Sequence, residues 1–176
     1  MATSQATPIQ RLNRHLLRMN KLVVAAVEQA IQSLAEQDQK LAAQVTAGDD
    51  AIDREEVRIE RECIALLTAG QLPPDQLRYV LCLIKINSDL ERVADCATDI
   101  AERLPGFVER EAPALPHDLR IMANSALGML RDAVNSWVRQ DPKTAGEVLK
   151  ADDIVDALYD RLARDLRDIL RQPNGA

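Results

Sequence analysis

The sequence predicts an all-α fold: an antiparallel helical bundle with one complete three-helix repeat and a two-helix partial second repeat. Three observations predict it. Apolar residues recur every three or four positions over long stretches, and no segment alternates as a half-buried strand does. The chain is 47% hydrophobic but only 2% aromatic, so its core is Leu, Val, Ile and Ala, which suits helices packed side by side. Glycine and proline are few and fall at intervals, where helices start and stop.

Residues 1–8 read as a disordered start. Pro8 opens a first helix running to about Gln37, and Asp38 begins a second that ends at Gly70. Pro73 and Pro74 open a third, ending before Pro105. Residues 105–116 form a linker with prolines at 105, 113 and 116. A fourth helix spans about His117 to Gln140, and Asp141-Pro142 starts a fifth that fades before Pro173. The first repeat is thus 9–104, the partial second 117–171, and 172–176 a tail.

The repeat shows as a shift of 103 residues that needs no gap. Ala30 falls on Ala133, Ser33 on Ser136, and Gln37-Asp38 on Gln140-Asp141. Asp49-Asp50-x-x-Asp53 falls on Asp152-Asp153-x-x-Asp156, and Arg58 on Arg161. In this register a third helix of the second repeat would begin near residue 176.

Helix 3 carries an apolar seam of Leu83, Ile86, Leu90, Val93, Ala97, Ile100 and Leu104. Glu91, Asp95 and Asp99 run beside it at i, i+4, i+8, where like charges repel. Helix 2 has a seam of Leu41, Val45, Gly48, Ile52, Ile59, Cys63 and Leu66, with Asp49 and Asp53 one residue past it. Across a short turn the two helices are antiparallel, which sets Asp53 opposite Glu91 and Asp49 opposite Asp95. Asp152 and Asp156 repeat the helix 2 half of this pattern. Acid pairs at i, i+4 number six (49/53, 56/60, 91/95, 95/99, 152/156, 156/160), so one pair alone signals only a solvated face. Convergence across two helices is more specific. An all-oxygen cluster suits hard cations such as Mg²⁺, Mn²⁺ or Ca²⁺, or carboxylate-bridged iron.

Other features narrow the function. A formal net charge of −6 argues against nucleic acid as a main partner. The longest apolar run, Leu22 to Val27, cannot span a membrane, and the first ten residues lack a secretory signal. Cys63, Cys82 and Cys96 read as buried free thiols of a reducing cytoplasm. His15 and His117 read as helix-surface or helix-start residues, and no Glu-x-x-His motif of a di-iron bundle is present. Asn87 and Ser88 read as interhelical hydrogen-bonding groups. No phosphate loop, GxSxG or CxxC appears.

The run Asp89-Leu90-Glu91-Arg92-Val93-Ala94-Asp95, followed by Asp99-Ile100-Ala101-Glu102, resembles the signature of the PhoU family. Asp49-Asp50-x-x-Asp53 and the Asp75-to-Arg78 opening of helix 3 resemble it too, and the likeness extends over nearly the whole chain from about residue 10. The resemblance implies a cytoplasmic, all-helical regulator without catalysis. Such proteins bridge a phosphate ABC transporter and a sensor histidine kinase, restraining uptake and phosphate-starvation signalling. It implies metal ions (Fe, Mn, Mg or Zn) on Asp49-x-x-x-Asp53 and Glu91-x-x-x-Asp95, with Asp99 nearby. Asp152 and Asp156 would form a weaker second set with no opposing helix. A carboxylate-cluster metal-binding protein or metalloenzyme, and a structural helical adaptor, are the alternatives. Helices 4 and 5 present a seam (Leu127, Leu130, Val134, Trp137; Val148, Val155, Leu158, Leu162, Ile169) that a third helix would cover, which favours a homodimer.

Overall fold

Five helices form in the predicted order: α1 (Pro8–Glu36), α2 (Gln39–Thr68), α3 (Pro74–Glu109), α4 (His117–Arg139) and α5 (Pro142–Arg171). The computed structural model describes residues 7–70, 72–109 and 116–171, so most of the predicted disordered start, half of the predicted linker and all of the tail lie outside the described residues. The chain divides into two units, residues 1–111 with α1–α3 and residues 112–176 with α4 and α5.

Local chemistry sets the helix ends. Thr7 caps α1 in a reciprocal box: its hydroxyl accepts from Gln10 N–H (3.2 Å), and the Gln10 side chain accepts from Thr7 N–H (2.9 Å). Gly70, at φ 67°, takes the left-handed conformation just past the end of α2.

The predicted repeat appears in the two interhelical turns bond for bond. Gln37 and Gln140 both adopt φ 55° and end their helices. Asp38 N–H donates to Ser33 O and Asp141 N–H to Ser136 O, each at 2.9 Å. The Asp38 carboxylate accepts from Lys40 and Leu41 N–H, and the Asp141 carboxylate from Lys143 and Thr144 N–H. Ser33 Oγ donates to Ala30 O and Ser136 Oγ to Ala133 O. Residues of the α_L type other than glycine are uncommon. Here each is held by the Schellman-like bond behind it and the aspartate cap ahead of it.

In the first unit α1, α2 and α3 pack mutually. The buried seam of α3 is Val80, Leu83, Asn87, Leu90, Ala94, Ala97, Ala101 and Leu104. The predicted seam holds at Leu83, Leu90, Ala97 and Leu104, but Ile86, Val93 and Ile100 are only half-buried. Their places go to Asn87, Ala94 and Ala101, because small residues let the backbones approach closely while the larger neighbours cover the edge. One core cluster is accordingly rich in alanine: Ala30, Ala42, Val45, Ala97, Ala101 and Leu104. On α2, Gly48 is exposed rather than in the seam, and Ala42 and Glu55 are buried.

Pro105 does not end α3. Proline removes one helical hydrogen bond, yet the helix continues to Glu109, and Val108 packs on the alanine-rich cluster. In the second unit α4 and α5 pack on each other, and Leu127, Val134, Leu158 and Leu162 are buried. The predicted exposed seam is therefore covered within this unit at these four positions, while Leu130, Trp137, Val148 and Val155 are half-buried. The exposed apolar residues of the unit are others, with Leu149 at 73% and Ile154 at 62%.

The thiols differ from expectation. All three are free, but only Cys63 is buried, while Cys82 is partly exposed and Cys96 exposed. Burial pushes the Cys63 thiol up to about 11, with Glu62 and Glu60 adding to it.

Candidate functional site: a carboxylate strip across α2 and α3

Two seams and one short turn bring the predicted carboxylates together. Position along α2 falls as position along α3 rises, from Glu56 against Asn87 through Asp53 near Glu91 to Asp49 near Asp95, so the helices are antiparallel. Asp49 lies within electrostatic reach of Asp95, and Glu91 within reach of Asp53. These are the cross-helix pairs expected from the seam offsets. The Asp49 carboxyl is held above the usual range, first by burial, then by Asp53, with Asp95 and Asp50 adding and the Thr98 hydroxyl opposing. Glu91 is raised by burial, then by Asp95, Glu56 and Asp53. Among the described residues, no Lys, Arg or His forms an ion pair with Asp49, Asp53, Glu91 or Asp95.

The strip extends further along α2 than the sequence reading placed it. Glu56 is half-buried and raised by burial, then by Glu60 and Asp53. Its pairing with Glu60 was visible as one of the six acid pairs. Its link to α3 was not, because that runs through Asn87. The Asn87 side-chain amide donates to Glu56 O (3.1 Å) and to Glu56 Oε1 (3.3 Å), tying α3 to α2 at the strip. Asn87 thus has the expected interhelical role, whereas Ser88 is exposed.

Two other predicted groups stand apart from the strip. Asp99 is exposed and lies 3.9 Å from Arg103, one turn on. Asp152 and Asp156 are exposed on α5, in a unit whose described helices are α4 and α5 alone.

The donors are all oxygen, the set that hard cations take, and Asp49 and Glu91 are raised first by burial and then by neighbouring carboxylates. As the side chains stand, no group of three or more His, Cys, Asp or Glu among the described residues is arranged to hold a metal ion. As it stands the strip is not a preformed metal centre.

A second polar cluster escaped the sequence reading. Glu55 is buried, its side chain 5% exposed, and accepts a hydrogen bond from His15 Nδ1 at 2.6 Å. Arg18 and Arg58 approach its other oxygen at 3.6 and 3.8 Å, and Glu62 lies 3.5 Å from His15 Nε2. His15 is thus a half-buried clamp between α1 and α2 rather than a surface residue. The signal for it was weak: an acid on the α2 seam side at Glu55, with no spacing rule to join it to residue 15. His117, by contrast, is exposed at the start of α4, as expected.

Fold and site together define a class: an all-helical protein of partly repeated three-helix units, with an acidic strip spanning the second and third helices. The chain belongs to the PhoU family, since the PhoU domain model matches residues 16–104 and 119–176. It is 38% identical over 159 residues to a phosphate-specific transport system accessory protein PhoU homolog of Aquifex aeolicus, covering 90% of this chain and 72% of that one. A homolog of the same name from Clostridium acetobutylicum is 30% identical over 165 residues, covering 93% and 75%. The crystal structure of PhoU from Pseudomonas aeruginosa superposes with a TM-score of 0.87 at 29% identity, covering 96% of this chain and 81% of that one. The phosphate transport system regulatory protein PhoU from Streptococcus pneumoniae gives 0.83 at 25% identity, covering 92% and 76%.

Proposed function

We propose that this chain regulates phosphate transport by protein contact in the cytoplasm, restraining uptake and phosphate-starvation signalling. Its partners in this reading are a phosphate ABC transporter and a sensor histidine kinase, and it catalyses no reaction of its own. The supporting observation is a PhoU domain match over both units, with the signature run of α3 seated on the strip. Relatives over most of this length carry names of accessory and regulatory proteins. No described helix is long and apolar enough to cross a membrane, which suits a partner that visits a membrane transporter. Co-purification from phosphate-replete cells should recover the transporter ATPase or the kinase with this chain, and less of either after phosphate starvation. Recovery of neither by a folded bait would overturn the reading.

The strip carries a second part of the proposal. Asp49, Asp53, Glu91 and Asp95 hold a divalent cation whose role is to neutralise the strip. Cross-helix repulsion at Asp49 and Glu91 supports this. Titrating Mg²⁺ or Mn²⁺ into chelator-treated protein should raise its melting temperature, and Asp49→Asn/Glu91→Gln should abolish the rise. A rise of the same size in the double variant would favour the plain helical adaptor. Turnover lost with the same residues would favour a metalloenzyme. Association of two chains is part of the proposal as well, and sedimentation velocity across micromolar concentrations tests it.

A further inference from the structure

The opening turns of α3 present a face that neither the core nor the carboxylate strip uses. Pro74, Leu77, Arg78, Leu81, Cys82 and Lys85 line one depression of about 410 Å³, which has room for a few side chains. Leu77 is 42% and Leu81 49% exposed, although both lie on a helix whose other face is packed core. They stand one helical turn apart on a single stripe. Two cations frame the stripe. Arg78 and Lys85 are exposed, and among the described residues neither forms an ion pair. They are seven residues apart, about 10 Å along the helix. On a chain with a formal net charge of −6, the charged residues lining this apolar floor are both cations.

We infer that this face docks an acidic amphipathic segment of a partner protein, one that seats two apolar side chains on Leu77 and Leu81 and sets carboxylates against Arg78 and Lys85. Charge decides between occupants. An apolar segment with basic flanks would meet two uncompensated cations. An acidic one would find them in place, and two turns of helix match the spacing of Arg78 and Lys85. The inference rests on the regulatory reading for the existence of a protein partner, while the chemistry of that partner comes from the face itself.

Selection of a random 12-residue peptide library displayed on phage, with the immobilised full chain as bait, reads that chemistry. Selected sequences should carry two apolar residues three or four positions apart with at least two Asp or Glu. Synthetic copies of them should bind the Arg78→Glu/Lys85→Glu chain at least tenfold more weakly. The Leu77→Asp/Leu81→Asp chain should not bind them. Both double variants change exposed side chains, and circular dichroism checks that each remains folded. Failure to select any sequence, selection of basic or uncharged sequences, or binding indifferent to these substitutions overturns the inference. Two further outcomes also overturn it, by assigning the face to another occupant: a dimer that Leu81→Asp converts to monomer, or sedimentation with phosphatidylglycerol vesicles that Lys85→Glu abolishes. A failed selection beside intact phosphate-dependent co-purification sinks the groove alone. Failed co-purification beside a successful selection sinks the regulatory reading alone.

Discussion

The two units share a turn but not a polar interior. At 37–38 and 140–141 the backbone bonds of the two aspartates are the same, and Asp141 adds one from the Thr144 hydroxyl where Asp38 faces Leu41. A short way along the helices the units diverge. Glu55, buried on α2, has Leu158 as its equivalent on α5, also buried. His15 on α1 corresponds to Asp118 on α4, and Arg58 to Arg161. The first unit joins its helices with His15 and Glu55 at 2.6 Å, the second with Asp118 and Arg161 at 3.5 Å. One site thus holds a buried acid with cations around it, and the other a leucine with a partly exposed ion pair beside it. A turn depends on a few adjacent residues and is copied intact. A helix interface accepts different chemistry wherever volume and charge are balanced.

The largest effect should come from breaking the polar version. Glu55→Ala leaves His15, Arg18 and Arg58 without their shared carboxylate and opens a cavity, and should destabilise the first unit by about 2 kcal/mol. Glu55→Leu, the residue of the second unit, should cost clearly less, because an apolar side chain of similar volume needs no partner. Urea denaturation followed by far-ultraviolet circular dichroism reads both. The single tryptophan, Trp137, lies in α4, and its fluorescence should report an unchanged second unit.

A smaller effect is expected at the turn. Asp38→Ala removes the acceptor for Lys40 and Leu41 N–H and should cost about 1 kcal/mol, typical of a lost helix cap. Asp141 makes the equivalent bonds, and its carboxyl is held below the usual range first by the Thr144 hydroxyl, then by Thr144 N–H. Its contribution should therefore be present at neutral pH and fade as acid protonates it below the ordinary carboxylate range. The second turn should loosen in acid, seen as faster amide exchange at Lys143 and Thr144.

The smallest effect is the most specific to the difference between the units. Asp49 and Glu91 have raised carboxyls, so the folded state holds their protons at a pH where the unfolded chain has released them. Their stabilising contribution is complete in acid and lost as pH rises through the folded value. With a chelator present at pH 7, Asp49→Asn should stabilise the first unit by about 0.2–0.5 kcal/mol, the size of one relieved like-charge pair. Asp152→Asn, at the equivalent position of the second unit, lacks an α3 opposite it and should shift the melting temperature less. Equal shifts would mean that the cross-helix neighbour Asp95 adds nothing to what burial and Asp53 do to Asp49.

Much of this protein was legible along the chain. Helix number, the starts of all five helices, the repeat and the pairing of Asp49 with Asp95 and Asp53 with Glu91 follow from periodicity, proline placement and one short turn. These are local or nearly local properties, and a seam with a period of 3.5 places its neighbours by arithmetic. What the tertiary structure decided depends on three helices at once. Ala94 and Ala101 are buried instead of Val93 and Ile100 because close approach rewards small residues, a preference hydrophobicity alone does not rank. Pro105 stays inside α3, where Val108, one turn beyond the last buried leucine, still finds the core. His15 meets Glu55, forty residues away, and Leu77 and Leu81 remain uncovered, because which face of a helix finds a neighbour is settled only when the others have packed.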